Sequence, residues 1–523
     1  MVLVWILSGF FVYWAAVIYL DSKGTLEKYN ISSLGPLLMV RTLRGRDLLD
    51  RIASRSKFWR YYGNVGVFAA TVVMLVSFIF TLMVGYITLR SPPQPSKFNQ
   101  PKNLLVIPGL NEFLPLSMAP EIVFGLLIGM VVHEGGHGVM ARAGNIKVDS
   151  MGVLLLSIVP MGAFVEPDED EVELTTWGSR IRMFAAGVMN NFVFTVILLG
   201  ILAFSLTGIA PNGAVGVSEV RAGSPAADSG VDKGDIITSI DGTNISSMEG
   251  FQRRLSNSSG ETTLGIKRKT DEGFDRQEVS VNLTSGVPVI ATIPDTAASS
   301  AGVKDGDVIK SVDGELVRSR KELSDVLDTM DPGDQTTLAV NRNGSIHNLT
   351  ATFGSSPEGE GAFLGVQMAT RLQEVGATPY DIGYPLDVLP SLNPLDWFDA
   401  VKWFQFISLP FGRFGAFFFG FDGIVLDFYH LEGFASTIGD LYWIVPNAMF
   451  WSAWINLLLG QFNCIPALPL DGGHILRELT AKAISPFAEG ETRESIAGYV
   501  TVAVTFLMFG SFFLMVAGPR LLR

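Results

Sequence analysis

Six segments of the sequence are each apolar over about the 20 residues that an α-helix needs to cross a bilayer, and they restrict the fold more than any other feature. They lie at residues 1–20, 64–89, 117–142, 181–207, 437–464 and 492–517. Hydrophobic residues make up 48% of the 523 residues and charged residues 17%, below the roughly 25% of soluble domains. The sequence therefore predicts a polytopic α-helical membrane protein with about six spans.

The loop after the first segment indicates how the chain is oriented. Residues 21–63 contain nine Lys or Arg against four Asp or Glu, so the positive-inside rule places this loop in the cytoplasm. The first segment lacks a basic n-region and a small-residue cleavage site, and we expect a retained anchor. Alternation then places residues 210–390 outside. We predict an integral, multi-pass membrane protein, in the cell membrane if the chain is prokaryotic.

Two further apolar stretches are not expected to form spanning helices. Residues 145–166 are short and interrupted by Gly152, Pro160 and Gly162, which favours a re-entrant β-hairpin shielded by protein. Residues 393–430 are aromatic and interrupted by glycine. Either an interfacial segment or a poorly ordered span would fit them, and we favour the interface.

An internal repeat occupies the region after the fourth span. "VRAGSPAADSGVDKGDIITSIDG" (220–242) matches "IPDTAASSAGVKDGDVIKSVDG" (293–314) in a helical turn of small residues, an alternating strand and an Asp-Gly turn. The copies resemble tandem PDZ domains, which implies two inserted PDZ-like α+β domains outside the cytoplasm. Residues 211–390 carry 26 acidic against 15 basic residues, so no nucleic-acid partner is expected.

The PDZ resemblance also implies capture of peptide termini by strand addition. Residues 363–366 (FLGV) resemble the carboxylate-binding loop of circularly permuted members, although a buried strand with a glycine bulge fits equally well. Pro288 lacks an N–H group in the second copy, which argues against peptide capture there.

"HEGGH" at residues 133–137 introduces ionisable side chains near the end of the third span. On a helix His133 and His137 lie one turn apart on one face, so both imidazoles can reach one ion, with Glu134 beside them. Ionisable groups at bilayer depth cost several kcal/mol unless they are paired, bound to metal or facing water. A metal site is therefore favoured over an ordinary core histidine.

Catalytic zinc needs three protein ligands, and the third is expected in "NCIPALPLDGGH" (463–474). Pro466 and Pro469 end the fifth span there, and Asp471 follows; His474 is a less favoured alternative ligand. The third and fifth spans run in the same direction, so their ends can meet at similar depth. Gly135 and Gly136 are predicted to leave room for this second segment.

These motifs, with "RMFAAGVMNNF" between them, resemble the site-2 protease family of intramembrane zinc metalloproteases. The stretches "VIPGLNEFLP" (106–115) and "FGLLIGMVVHEGGHGVMAR" are similar to its eukaryotic-type branch. The resemblance implies that His133, His137 and Asp471 bind Zn²⁺ and that Glu134 is catalytic. Asn191, in a GxxxN motif with Gly187, would hold the substrate backbone or a developing oxyanion. The alternative for Asn191 is an interhelical hydrogen bond without a catalytic role. Asn463 is a weaker candidate for the same task.

The resemblance divides the sequence into six parts. They are N-terminal membrane helices with the basic loop (1–100), a first protease half (101–210), PDZ-like domains (211–286 and 287–370), a linker with the aromatic segment (371–436) and a second protease half (437–523).

The function implied is hydrolysis of a peptide bond within or near the transmembrane helix of a single-pass membrane protein, such as a membrane-tethered transcription regulator. An earlier ectodomain cleavage by another protease is expected, with the active site toward the cytoplasm. Two alternatives are an inactive zinc-binding scaffold or receptor that presents PDZ domains and a metal transporter. The polar groups cluster at one depth, which argues against transport.

Overall fold

The structure is a computed structural model, and it describes residues 2–42, 45–93, 99–157, 159–222, 224–258, 260–283, 286–318, 320–342, 345–355, 362–368, 371–392, 400–411 and 418–522. The chain forms two compact units. The first, called the membrane unit here, comprises Met1–Ser205, Leu392–Gly412 and Leu441–Arg523. The second, called the repeat unit, comprises Leu206–Ser391 and Arg413–Asp440.

The helices, in chain order, are α1 (Val2–Ser22), α2 (Arg46–Ala53), α3 (Ser56–Arg90), α4 (Ala119–Ala143), α5 (Glu169–Leu174), α6 (Trp177–Leu206), α7 (Pro225–Asp228), α8 (Met248–Asn257), α9 (Ala297–Ala301), α10 (Arg320–Leu327), α11 (Arg371–Glu374), α12 (Tyr384–Ser391), α13 (Ala400–Ser408), α14 (Gly433–Ile438), α15 (Ile444–Asn463), α16 (Asp471–Ile484) and α17 (Gly490–Leu521).

The strands are β1 (Ile31–Leu34), β2 (Leu37–Thr42), β3 (Val148–Leu156), β4 (Val159–Pro167), β5 (Ile209–Pro211), β6 (Val215–Val220), β7 (Ile236–Ile240), β8 (Thr243–Asn244), β9 (Gly260–Thr270), β10 (Gly273–Leu283), β11 (Val287–Thr292), β12 (Val308–Val312), β13 (Glu315–Leu316), β14 (Gln335–Arg342), β15 (Ser345–Thr352), β16 (Gly354–Ser355), β17 (Ala362–Phe363), β18 (Val366–Met368), β19 (Ala377–Asp381) and β20 (Tyr429–Leu431).

Four helices among the described residues are long and apolar enough to cross a membrane, namely Ser56–Arg90, Leu116–Ala143, Trp177–Leu206 and Gly490–Leu521. Each exceeds the roughly 20 residues that a bilayer requires. The other two predicted spans, α1 and α15, are helices of 21 and 20 residues but do not belong to this set. The chain is thus a multi-pass membrane protein, and the number of six spans stays a prediction.

Helix α4 packs closely against α15 because glycines lie at the contact. A Cβ atom on Gly125 would lie 2.9 Å from the Cα of Ser452, and one on Gly129 would lie 2.6 Å from Leu459. From Gly125 to Gly129 the contacted residues of α15 move from Ser452 to Leu459, toward the C-terminus of both helices. The two helices therefore run parallel, as predicted for the third and fifth spans. The C-terminal end of α15 therefore lies beside residues 133–137 of α4.

The predicted hairpin is formed by β3 and β4, which pair antiparallel. Two strands that the sequence did not indicate, β1 and β2, extend it into a sheet of order β1-β2-β3-β4. At Gly152 any side chain would collide with the Val40 carbonyl oxygen, so glycine permits this strand pairing. Strand β4 ends the sheet on one side and contacts α4.

Each sequence repeat forms an antiparallel sheet with the same strand order. The first sheet is β10-β9-β7-β6-β19 and the second is β15-β14-β12-β11-β18. In each sheet an arginine forms a bidentate ion pair with a buried aspartate. Arg268 pairs with Asp235, and Arg342 pairs with Asp307, with N–O distances between 2.7 and 2.8 Å. These equivalent ion pairs confirm that the repeat in the sequence is a repeat in structure.

The predicted boundary of the first PDZ-like domain at residue 286 is wrong. Strand β19 returns from beyond the second repeat and pairs with β6, for example Tyr380 opposite Gly216. Leu372 and Val375 are buried in the core of the first repeat. Residues 371–381, predicted as linker, complete the first repeat, and the second repeat is inserted into it.

The aromatic segment 393–430 is divided between the two units. Its residues 393–399 and 412–417 lie outside the described part of the chain. Helix α13 belongs to the membrane unit, whereas residues 418–430 belong to the repeat unit. The segment is therefore not one spanning helix, and its interfacial position stays a prediction.

Candidate metal centre

Side chains from two helices of the membrane unit converge on one point. His133, His137 and Asp471 each offer a ligand atom, and these atoms lie within 4.8 Å of one another. The Nε2 atoms of the two histidines are 3.2 Å apart, and Asp471 Oδ2 lies 3.1 Å from His133 Nε2 and 3.4 Å from His137 Nε2. The structure thus brings together the three residues that the sequence proposed as ligands.

Helix α4 supplies both histidines because residues four apart share a helix face. The helix begins with Pro120 in its first turn, where the missing N–H group would have no intrahelical partner. The two imidazole rings are nearly perpendicular, at 78°, with centroids 4.8 Å apart. His133 is only 8% exposed, so the pair lies inside the unit.

Asp471 is the first residue of α16, and the turn that precedes α16 positions it. Helix α15 ends at Asn463, as Pro466 and Pro469 predicted. Side chains at Gly472 and Gly473 would collide with the backbone of residues 464–468, so only glycine lets α16 start this close to the turn. The two glycines after Asp471 are therefore required by packing.

Helix α16 is fixed to the start of α6 by a charged contact. The Arg180 guanidinium donates to both carboxylate oxygens of Glu478, at 2.9 and 3.1 Å. The indole N–H of Trp177 donates to the Glu478 carbonyl. A bidentate pair restricts orientation as well as distance, so these bonds hold Asp471 in register with the histidines.

The donor set fits a cation. Asp471 Oδ2 is buried and has no hydrogen-bond partner within the described residues, although two imidazole nitrogens lie within 3.4 Å. A buried carboxylate oxygen without a donor is unfavourable unless a positive charge compensates it. Two imidazoles and one carboxylate are the ligand types of catalytic zinc sites, in which a fourth position stays open.

Hydrogen bonds on the far side of each imidazole orient the rings. His137 Nδ1 lies 2.8 Å from the Met183 carbonyl oxygen, so this nitrogen carries the proton and donates, which leaves Nε2 free toward the site. Asn191 is fully buried, and its amide nitrogen lies 3.3 Å from His133 Nδ1. The Oδ1 of Asn191 has no partner among the described residues. A half-turn of this amide would let Oδ1 accept a hydrogen bond from the Nδ1–H group of His133, as a metal on Nε2 requires.

Asn191 therefore lies behind a candidate ligand, although the family resemblance implied a contact with the substrate. Its contact with His133 on another helix matches the alternative prediction, an interhelical hydrogen bond without a catalytic role, and favours a positioning role.

Glycines on α4 and α6 make room for the centre. A Cβ atom on Gly187 would lie 2.5 Å from His137 Nε2 and 2.7 Å from His133 Nε2. One on Gly136 would lie 2.6 Å from the Ala186 carbonyl oxygen, whereas one on Gly135 would meet nothing within 4 Å. The prediction that Gly135 and Gly136 accommodate the Asp471 segment is wrong, because Gly136 packs against α6.

Glu134 lies next to the ligand histidines and is tied to the hairpin. Its Oε2 accepts a hydrogen bond from the Val165 N–H group of β4 at 3.1 Å. This bond restrains the carboxylate and joins strand β4 to the helix that carries both histidines. The arrangement places a carboxylate beside three candidate metal-ligand atoms.

The other candidate residues lie apart from this group. The His474 ring stacks on Phe184 with ring centroids 4.7 Å apart, and His474 is not among the three residues whose ligand atoms converge. The amide of Asn463 donates to the Leu459 carbonyl of its own helix. His347 and His430, the remaining two of the five histidines, are exposed in the repeat unit.

Sequence reasoning missed Asn190 and Tyr62. Asn190 donates to the Val132 carbonyl at 3.0 Å and accepts a hydrogen bond from the Tyr62 hydroxyl at 2.6 Å. These bonds link α3 and α6 to the turn of α4 just before His133. The only sequence signal was the adjacent pair "NN" at 190–191, whose two members point to different partners.

Comparison with known proteins agrees with this geometry. The model of peptidase family M50 matches residues 121–508, well over half of the chain. The chain is 23% identical over 417 residues to the regulator of sigma-E protease of Escherichia coli, covering 68% of this chain and 88% of that protein. It is 24% identical over 447 residues to a candidate zinc metalloprotease of Neisseria meningitidis, covering 74% and 95%.

An uncharacterized protein of Methanocaldococcus jannaschii is 29% identical over 243 residues, which span 46% of this chain and 61% of that protein. Among solved structures, the PDZ domain of a Listeria monocytogenes protein matches 17% of this chain and 92% of that chain, with 20% identity and a TM-score of 0.16.

The family match covers both α4 and α16, which carry the converging ligands. The chain therefore belongs to peptidase family M50, and its predicted place among the site-2 metalloproteases is confirmed.

Proposed function

We propose that this protein is an intramembrane zinc metalloprotease that hydrolyses a peptide bond within or near the transmembrane helix of a membrane-anchored substrate. The observation that carries the proposal is the convergence of His133, His137 and Asp471, with Glu134 beside them, in a unit built from membrane-length helices. The bacterial relatives, one named a protease and one a candidate zinc metalloprotease, support the same activity.

His133, His137 and Asp471 would hold the zinc ion and leave one coordination position open. When bound, zinc supplies a Lewis acid for the scissile carbonyl and lowers the pKa of water toward 7. The hydrogen bond from His137 to the Met183 carbonyl and the amide of Asn191 behind His133 keep both Nε2 atoms facing this position.

Glu134 acts as the general base. Its carboxylate takes a proton from the attacking water and later returns it to the amine that leaves, so both proton transfers run through one side chain. The Val165 N–H group occupies one lone pair of Oε2 and leaves the remaining lone pairs for the water. Loss of this proton acceptor should stop turnover without removing any metal ligand.

The substrate would enter as an extended segment. A helix hides its amides in intrahelical hydrogen bonds, so the scissile bond becomes reachable only after local unwinding. Strand β4 ends its sheet on the side that contacts α4 and Glu134, so an unwound segment could add to it as a further strand. Addition there would bring the substrate backbone beside the proton acceptor.

We propose a single-pass membrane protein as the substrate, such as a membrane-tethered transcription regulator. The name of the Escherichia coli relative, a regulator of sigma-E protease, supports a regulatory role. The two repeats would lie outside the cytoplasm and exclude substrates with an intact ectodomain, so another protease would act first. The active site would lie toward the cytoplasmic side, where the basic loop 21–63 is expected.

The competing function, an inactive zinc-binding scaffold that presents PDZ-like domains, predicts that Glu134 is dispensable. Replacing Glu134 by Gln distinguishes the two functions. We expect cleavage of a single-pass substrate in reconstituted vesicles to fall by about 10² to 10⁴-fold, the usual contribution of a general base, while zinc content stays at the wild-type value. Glu169→Gln, an exposed substitution in α5, is the matched control and should retain full activity.

Wild-type turnover in Glu134→Gln would contradict the assignment of the general base. Absence of cleavage in the wild type as well would instead favour the scaffold.

Gly187 tests whether the two imidazoles must sit as the structure places them. A methyl group at this position overlaps both Nε2 atoms, so Gly187→Ala should displace the rings and lower the zinc content of the purified protein at least about tenfold. Gly200→Ala is the matched control on the same helix, because a Cβ there meets nothing within 4 Å. Equal zinc in both variants, measured by elemental analysis, would show that the site lies elsewhere.

The nested arrangement of the repeats allows a clean test of substrate filtering. Replacing residues 287–368 by a short Gly-Ser linker removes the second repeat but leaves β19 to complete the first. This variant should cleave a substrate with an intact ectodomain that the wild type refuses, and should cleave the trimmed form at the wild-type rate. If the intact substrate is still refused while the trimmed one is cleaved, the second repeat is not the filter.

A further inference from the structure

A cavity of about 380 Å³ lies where α2 meets α3, apart from the metal centre. Its lining residues are Arg51, Ile52, Arg55, Phe58 and Trp59. Helix α3, one of the four membrane-length helices, begins at Ser56, so the cavity lies at the end of a candidate span. No residue of the proposed proteolytic mechanism lines it.

The cavity carries positive charge that the described parts of the chain do not neutralise. Neither Arg51 nor Arg55 forms an ion pair with any described residue. Asp50, the acid beside Arg51, is instead paired with Arg142 of α4. The first turn of α3 contains no acidic residue and adds Lys57. Two arginines that line a cavity without an ion-pair partner among the described residues suit an anionic ligand, because each guanidinium can donate two parallel hydrogen bonds to phosphate oxygens.

The rim of the cavity is apolar. Ile52 is 40% exposed and Phe58 is 56% exposed, and nearby Leu48 and Tyr61 are 56% and 73% exposed. A soluble domain rarely exposes such side chains together, whereas interfacial segments place them among acyl chains. The Trp59 indole N–H donates to the Ile52 carbonyl at 2.7 Å, and the Phe58 and Trp59 rings are 5.1 Å apart. These contacts join the last turn of α2 to the first turn of α3 and fix the wall of the cavity.

Helix α2 also has a defined inner face. Leu49 and Ala53 are buried in a core with Val139 and Met140 of α4. Arg51 and Ile52 are exposed on the same helix, which leaves them free for a ligand from outside the protein. The arrangement of an anchored inner face with a basic and apolar outer face is typical of helices that lie in the membrane interface.

We propose that this cavity binds the headgroup of an anionic phospholipid, with Arg51 and Arg55 donating to the phosphodiester oxygens and with Ile52 and Phe58 against the first acyl carbons. A lipid is favoured over a soluble phosphate because the cavity combines both kinds of contact and lies at the start of a membrane-length helix. The basic loop 21–63 that contains it is expected on the cytoplasmic side, where the leaflet is anionic.

Native mass spectrometry of the full chain in detergent, titrated with phosphatidylglycerol or phosphatidylcholine, tests the proposal. We expect at least one phosphatidylglycerol to bind tightly and phosphatidylcholine to bind more weakly. Arg51→Gln with Arg55→Gln should weaken phosphatidylglycerol binding about tenfold or more, since each basic residue near an anionic headgroup contributes roughly a factor of five. Lys23→Gln with Lys28→Gln removes the same charge from the same loop outside the cavity and should change binding less than about threefold.

Phe58→Ala tests the apolar wall without changing charge, and it should also weaken binding of phosphatidylglycerol. Inorganic phosphate serves as the soluble probe. The proposal is overturned if the arginine and lysine double variants bind phosphatidylglycerol equally, or if Phe58→Ala binds it as the wild type does. It is likewise overturned if millimolar inorganic phosphate displaces the lipid, because the site would then recognise a free anion. Zinc content confirms that each variant is folded.

Discussion

The convergence of Asp471 with His133 and His137 is the interaction on which the membrane unit depends. Three lone-pair atoms within 4.8 Å would repel or remain unsatisfied in a buried site, and a divalent cation resolves both problems. The parallel course of α4 and α15 brings the end of α15 level with the two histidines, and the glycines at the α4–α15 and α16 contacts allow the approach. The Arg180–Glu478 pair then holds α16 in place.

Contacts around this cluster orient its imidazoles and place a carboxylate beside it. Met183 and Asn191 act on the far sides of the imidazoles, so ring orientation depends on α6 as well as on α4. Glu134 accepts a hydrogen bond from β4, so its carboxylate lies at the strand edge. A segment added to that edge would therefore arrive in a fixed relation to the base and the metal ligands.

Local sequence rules were sufficient to propose the three residues that converge, because helical spacing and proline breaks act within a few residues. The histidines follow from a four-residue period, and the end of α15 follows from Pro466 and Pro469. Contacts between distant segments were not predictable in the same way. The return of β19 to the first repeat depends on pairing between residues more than 150 positions apart, and the short segment 371–381 carries no repeat signature of its own. Likewise, the GxxxN motif singles out Asn191, but nothing local indicates that Asn190 bonds to α4.

X-ray absorption at the zinc K-edge of the purified full chain tests the central claim most directly. The structure predicts one zinc per chain with two imidazole nitrogens at about 2.0 to 2.1 Å, carboxylate or water oxygens, and no sulfur. Replacing Asp471 by Ala should abolish or alter this spectrum. A sulfur ligand at about 2.3 Å would contradict the account, because it would have to come from the single cysteine, Cys464, or from a methionine. A protein that binds no zinc would contradict it as well.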